Sequence, residues 1–197
     1  LATEDEAANA PEGVEFLDCR ARLRRGGGRL SVSPLRLGFP VKVLGKPGLK
    51  SNDTRRWQQS PHLRVSLAYV RDIFAYLKQR DITMYRLSSD LAPYLTHPEM
   101  PQFRDQITEC ARELEDLGVI ARSQHLRLSF HPSQYIILNS PDAKLTAQSV
   151  HDIESQSEML DRMELGPDAV VVVHVGGTYG NRAAARERWA RTFENKL

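Results

Sequence analysis

The sequence predicts an α/β fold of the (β/α)8 TIM-barrel type, with about the first four βα units present. Short apolar runs alternate with helical stripes four times within the 197 residues. The last three runs start about 43 residues apart, the length of a βα unit with its loop. Histidines follow the second, third and fourth runs, at the strand ends where a barrel gathers its chemistry. The competing architecture is an open doubly wound sheet. Its dinucleotide signature, GxGxxG between the first strand and first helix, is absent. A full barrel takes about 250 residues, so the chain is expected to be the N-terminal half of one, or a sequence cut short.

Residues 1–33 mix acids, arginines and Gly26-Gly27-Gly28 without helical or strand period, and are expected to be a disordered N-terminal extension. The barrel half is expected over 34–197. Leu35-Arg36-Leu37-Gly38-Phe39 reads as a strand closed by Pro40, and a long basic loop follows. Ser60-Pro61 is the expected helix start, with a serine cap and proline in the first turn. Leu63, Leu67, Val70, Phe74 and Leu77 then recur at spacings of 4, 3, 4 and 3, one apolar helix face. Met84 to Leu87 is the second strand. Phe103, Ile107, Cys110, Leu114 and Leu117 repeat the same spacings in a second helix. Leu126 to Phe130 is the third strand, and Val150, Ile153, Leu160 and Met163 mark a third helix. Ala169 to Val175 is a near-continuous valine run, expected to be a strand buried on both faces of a parallel sheet. Asn181 to Lys196 reads as a helix with Trp189 and Phe193 on one side.

Composition excludes several classes. Hydrophobic content of 41% and charged content of 26% are those of a globular protein. No apolar run approaches the roughly 20 residues of a membrane span, and the acidic start is no signal peptide. No membrane partner is therefore expected. Cys19 and Cys110 are isolated, which argues against a disulfide framework or cysteine-based zinc site and for a cytoplasmic protein. A net charge of +2 is too mild to announce nucleic acid. Its distribution says more: Lys42, Lys46, Lys50, Arg55 and Arg56 face one acid, Asp53, within 42–56. That stretch is either a solvated loop or a phosphate-contacting one.

The chemistry concentrates at Leu128-Ser129-Phe130-His131-Pro132-Ser133-Gln134-Tyr135. A strand ends in a histidine, a proline stops it, and an amide and an aromatic ring follow. Of the six histidines, His62, His125 and His151 read as surface or packing residues. His97, His131 and His174 each follow a separate strand, so they are either metal ligands from three loops or satisfied structural histidines. Gly176-Gly177-Thr178-Tyr179-Gly180 is either a phosphate cradle or a tight turn. Tyr135, if at the loop surface rather than in the core, can stack on a base while Gln134 occupies its hydrogen-bonding edge. A multi-metal phosphodiesterase needs bridging carboxylates, and none within residues 169–197 is placed at a strand end, since Glu194 falls late in the last helix.

These residues resemble the UV-damage endonuclease family. The matching pieces are Arg36-Leu37-Gly38-Phe39, Tyr85-Arg86-Leu87-Ser88-Ser89-Asp90-Leu91 with Thr96-His97-Pro98, and Arg127 through Tyr135. Asn139-Ser140-Pro141-Asp142 and Val173-His174-Val175-Gly176-Gly177-Thr178-Tyr179-Gly180 complete the set. The resemblance implies a (β/α)8 barrel that binds divalent ions, usually Mn2+, and nicks duplex DNA 5′ of ultraviolet photoproducts. It implies His97, His131 and His174 as metal ligands, Gln134 and Tyr135 as the pair that enters the duplex, and Phe39 near the lesion. Lys50, Arg55 and Arg56 are then candidate phosphate contacts. The family's catalytic carboxylates are expected beyond Leu197, so no catalytic residue is assigned. Two rival readings are a metal-dependent sugar isomerase or epimerase on the related barrel and a non-catalytic remnant that binds damaged DNA. Half a barrel would leave open edges at strands one and four, so the isolated chain is expected to dimerise or aggregate through them, or to be completed by further sequence.

Overall fold

The computed structural model of the protein describes residues 36–197, so the expected extension over residues 1–33 lies outside them. Four strands, β1 (Gly38–Pro40), β2 (Met84–Arg86), β3 (Arg127–Phe130) and β4 (Val170–Val171), form one parallel sheet in the order β1-β2-β3-β4. Five helices follow the chain as α1 (Leu63–Gln79), α2 (Gln106–Glu109), α3 (Ala111–Ser123), α4 (Ala143–Arg162) and α5 (Arg182–Lys196). The strand order never reverses, so the sheet has no switch point of the doubly wound kind. Consecutive helices pack on one another, α1 on α3 and α3 on α4, along one face of the sheet. Both features belong to a barrel wall.

Pleating divides the residues between two faces. Tyr85, Leu87, Leu128 and Phe130 turn to the helices and join Leu63, Leu67, Val70, Phe74 and Leu77 of α1 with Leu114 and Leu117 of α3. Burying each such leucine or phenylalanine stabilises the fold by about 1.5–3 kcal/mol. The other face carries Met84, Arg86, Arg127, Ser129, Val170 and Val172 around a cavity of about 250 Å3. This is the concave side, and its two arginines replace the apolar layers common inside barrels.

Three elements differ from expectation. Helix α1 is capped by His62, whose Nδ1 accepts the Arg64 N–H at 3.1 Å. Ser60 takes φ +48° and closes a 3-10 turn over Trp57–Gln59, so its hydroxyl is displaced from the cap position. The second stripe is one apolar face but not one helix: a 3-10 turn at Pro101–Phe103, α2 and α3 share it. Gln106 enforces the break, since its side chain accepts the Leu63 N–H at 2.7 Å and donates to Pro93 and Phe103 carbonyls, both at 2.8 Å. The valine run pairs over only two residues and is not buried on both faces: Val172 and Val175 are 42% and 60% exposed. Strand β3 ends at Phe130, and beyond it only the Val172 N–H to Phe130 carbonyl bond and a bridge of Ile137 to His174 continue the pairing.

Candidate active site

His131 stands one residue past β3, where Pro132 prevents the strand from continuing. His174 stands past β4, held in register by its bridge to Ile137. The two imidazoles meet with ring centroids 4.5 Å apart at 48°. Burial, and then the charges of His174 and Arg86, hold His131 below the ordinary imidazole range. A neutral ring with a free lone pair is the form that binds metal.

Two residues past His131, the Ser133 carbonyl accepts the Ile136 N–H at 2.9 Å and closes a tight turn. Gln134 and Tyr135 occupy its two central positions, both exposed, Tyr135 by 78%. The ring is thus a surface feature and not a core one. Phe39 is half-buried at the end of β1 and packs edge-on against Tyr85 at 5.5 Å, so its ring is shared between core and concave face.

His97 does not join the histidine pair in a three-ligand group; among the described residues, no group of three His, Cys, Asp or Glu side chains gathers to hold a metal ion. Its loop is tied elsewhere. Thr96 donates its hydroxyl to Asp152 of α4, and Gln148 donates to the Thr96 carbonyl at 2.9 Å. The His97 ring lies edge-on to Tyr94, and its Nδ1 accepts the Glu99 N–H at 3.3 Å. With Asp90, Gln148 and Asp152 it lines a separate cleft of about 570 Å3.

The basic loop is ordered by a buried carboxylate. Asp53 accepts from Arg55 Nε at 2.9 and 3.1 Å, from Arg55 Nη2 at 2.6 Å and from the His62 N–H at 3.0 Å. Its own N–H donates to Ser66 at 2.9 Å. Arg55 also donates to the carbonyls of Gln59 and Ser60. Every guanidinium nitrogen of Arg55 is therefore engaged inside the loop. Arg56 is exposed, and Lys50 lies 5.3 Å from the Tyr69 ring centroid. Lys42, Lys46 and Lys50 line one groove of about 360 Å3 that has no carboxylate side chain in its wall.

Two of the remaining histidines have structural work, and His151 is exposed on α4. His62 caps α1 and meets Glu109 through Nε2 at 2.9 Å, and His125 takes the left-handed position after α3. Cys110 is fully buried, and burial, with Glu113 next, pushes its thiol up to about 11, which removes it as a nucleophile. Gly176, at φ +89°, belongs to a tight turn around Asn139. Asn139 and Arg188 are site residues whose part the sequence does not announce: Asn139 Nδ2 donates to the Gly177 carbonyl at 2.9 Å, and Arg188 Nε donates to the Asn139 carbonyl at 3.0 Å. Only the motif Asn139-Ser140-Pro141-Asp142 hinted at the first.

The family UV-endonuclease UvdE matches residues 51–195. The UV DNA damage endonuclease of Bacillus velezensis is 36% identical over 114 residues, which cover 58% of this chain and 35% of that protein. The protein of the same name from Bacillus cereus is 32% identical over 127 residues, covering 64% of this chain and 39% of the relative. The chain thus matches little more than a third of these relatives' length. The crystal structure of SacUVDE superposes with a TM-score of 0.72 at 22% identity, covering 83% of this chain and 57% of that one. At that identity the likeness establishes the fold, which is of TIM-barrel type. With the family match running from the basic loop through β2, β3 and β4 into α5, the chain belongs to the UV-endonuclease UvdE family.

Proposed function

We propose that this chain carries the lesion-reading part, and part of the metal-holding part, of a DNA repair endonuclease that nicks the backbone 5′ of ultraviolet photoproducts. The observation that carries the reading is the His131–His174 pair at 4.5 Å with an exposed Gln134-Tyr135 turn beside it. A sugar isomerase would have no use for that exposed turn.

Two adjacent imidazoles, one with its pKa lowered chiefly by burial, fit a divalent ion as two of its ligands. They do not make a complete site, and His97 would have to leave its Tyr94 contact to add a third. When bound, a divalent ion such as Mn2+ supplies Lewis acidity at the phosphoryl group and lowers the pKa of a water. The chain's own residues do the rest. Tyr135 stacks where a damaged step unstacks cheaply, and Gln134 pairs with the exposed base edge. Lys50 and Arg56, with Lys42 and Lys46 in the same loop, neutralise the duplex backbone. Arg55 shapes that loop through Asp53 rather than touching phosphate.

A binding assay on irradiated and unirradiated duplex, with and without Mn2+, tests the reading. The chain should prefer irradiated duplex, Tyr135→Ala should weaken that preference at least tenfold, and His131→Ala should abolish any response of the binding to Mn2+. Binding to irradiated duplex that persists unchanged in chelator would favour a non-catalytic damage binder. Isomerisation of free sugars without that preference would sink the proposal.

A further inference from the structure

Three segments converge on one buried side chain, Asn139. It is 1% exposed and lies between the Gln134-Tyr135 turn and the N-cap of α4 at Asp142. Its Nδ2 donates to the Gly177 carbonyl at 2.9 Å, three residues past His174. Its carbonyl accepts from Arg188 Nε of α5 at 3.0 Å. Its Oδ1 is buried with no hydrogen-bond partner and faces Gly176, where any Cβ would collide with it. Gly176 also sits at φ +89°, a conformation that only glycine adopts without strain. Two residues before Asn139, Ile137 bridges to His174 itself.

Buried polar atoms left unsatisfied are uncommon, and a protein keeps one where geometry matters more than satisfaction. The Asn139 amide is oriented by its donor side: Nδ2 must face Gly177, which forces Oδ1 onto Gly176. The Gly176 backbone can approach only because it has no side chain. We infer that Asn139 is a positioning residue: it fixes the loop that bears His174 against the loop that bears His131, Gln134 and Tyr135, and so sets the spacing of the imidazole pair. The inference rests on the endonuclease reading for its purpose, but its geometry stands on this chain's own contacts. Arg188 carries the same register outward to α5, where its guanidinium carbon stands 5.6 Å from the Tyr179 ring centroid.

Two variants of the intact chain test this. Asn139→Asp keeps shape and volume but replaces the donor to Gly177 with a second acceptor. Gly176→Ala keeps the amide and blocks the approach. Imidazole proton–nitrogen spectra at fixed pH report each histidine, and Mn2+ alone serves as a paramagnetic probe. In both variants the His174 signals should move, and the ring-to-ring nuclear Overhauser effect between His131 and His174 should vanish. The Mn2+ concentration that half-broadens the pair should rise at least fivefold. His62, His97 and His125 should keep their signals. A retained His131–His174 contact with unmoved shifts in Asn139→Asp would overturn the inference. So would a collapse of all the histidine signals together, since that means a general structural role. If Mn2+ leaves the unsubstituted pair sharp, the metal part of the endonuclease reading fails, while the ring-to-ring contact still decides the role of Asn139.

Discussion

His131, Gln134 and Tyr135 are legible in the sequence because their signal is local: a strand, a proline that ends it, and a turn that projects the next side chains. Asn139, Arg188 and Asp53 are not legible, because their roles arise across the chain. Asn139 meets a carbonyl 38 residues away, and Arg188 reaches back 49. Asp53 reads as the lone acid in a basic run, yet it is buried and organises that run. Its carboxyl lies below the ordinary range, chiefly through the hydrogen bond from Arg55 and then the N–H groups of His62 and Arg55, against the opposing effect of burial. A carboxyl depressed in the folded state adds stability that is fully present above its unfolded pKa and is lost as pH falls through the folded one. Asp53→Asn should therefore cost about 2 kcal/mol near neutrality, since it weakens charge-assisted bonds in a buried site. That corresponds to a melting temperature lower by about 4–8 °C. The gap between the two proteins should be constant from neutral pH down to about 5 and close below about 4, toward acid. A gap that stays open in acid, followed by thermal melts, would show that the charge is not what holds the loop.

At the scale of elements, apolar spacing reports which face is buried and not whether the hydrogen-bond ladder beneath it is continuous. The stripe of α1 is one helix, whereas the same spacing from Phe103 to Leu117 is divided between a 3-10 turn, α2 and α3. The valine run fails as a long strand for a related reason, because a strand is only as long as its neighbour allows, and β3 stops at Phe130. Helix packing hides a further constraint at Gly118, mid-way along α3. Alanine in a helix interior is ordinarily better than glycine by about 1 kcal/mol. Here an added Cβ would collide with the Met163 carbonyl at the end of α4. Gly118→Ala should lower the melting temperature despite its helix propensity, and an unchanged or higher value would show that α4 yields freely. The lysine groove makes its own prediction. If Lys42, Lys46 and Lys50 meet duplex phosphates, replacing all three by alanine should flatten the slope of log affinity against log salt by about 2–3. Binding to irradiated duplex at several salt concentrations measures it, and an unchanged slope would remove the groove from the DNA path.

For the whole molecule, the four-stranded wall has two ends. Among the described residues, β1 pairs only with β2 and β4 only with β3. At the β4 end, Val171, Val173, Ile153, Leu160 and Phe193 share an open cavity of about 800 Å3 with Glu154, Glu158, Asp161 and Glu164, while Val175 is exposed and Val172 is half-exposed on the concave face. Unpaired strand edges flanked by apolar surface recruit further strands, and here a second copy of this chain offers the same edge and the same apolar wall. The 197-residue, 22.3 kDa chain in isolation should therefore self-associate, with a light-scattering mass that exceeds the monomer and rises with concentration. High salt should not dissolve the association, because its source is apolar burial and backbone pairing rather than charge. Val172→Lys, which sets a charge at the end of β4, should shift the population toward monomer without lowering the melting temperature by more than a few degrees. A monodisperse monomer at every concentration would mean that the β4 end is covered by the chain itself, and the same result from Val172→Lys and unsubstituted protein alike would place any association elsewhere.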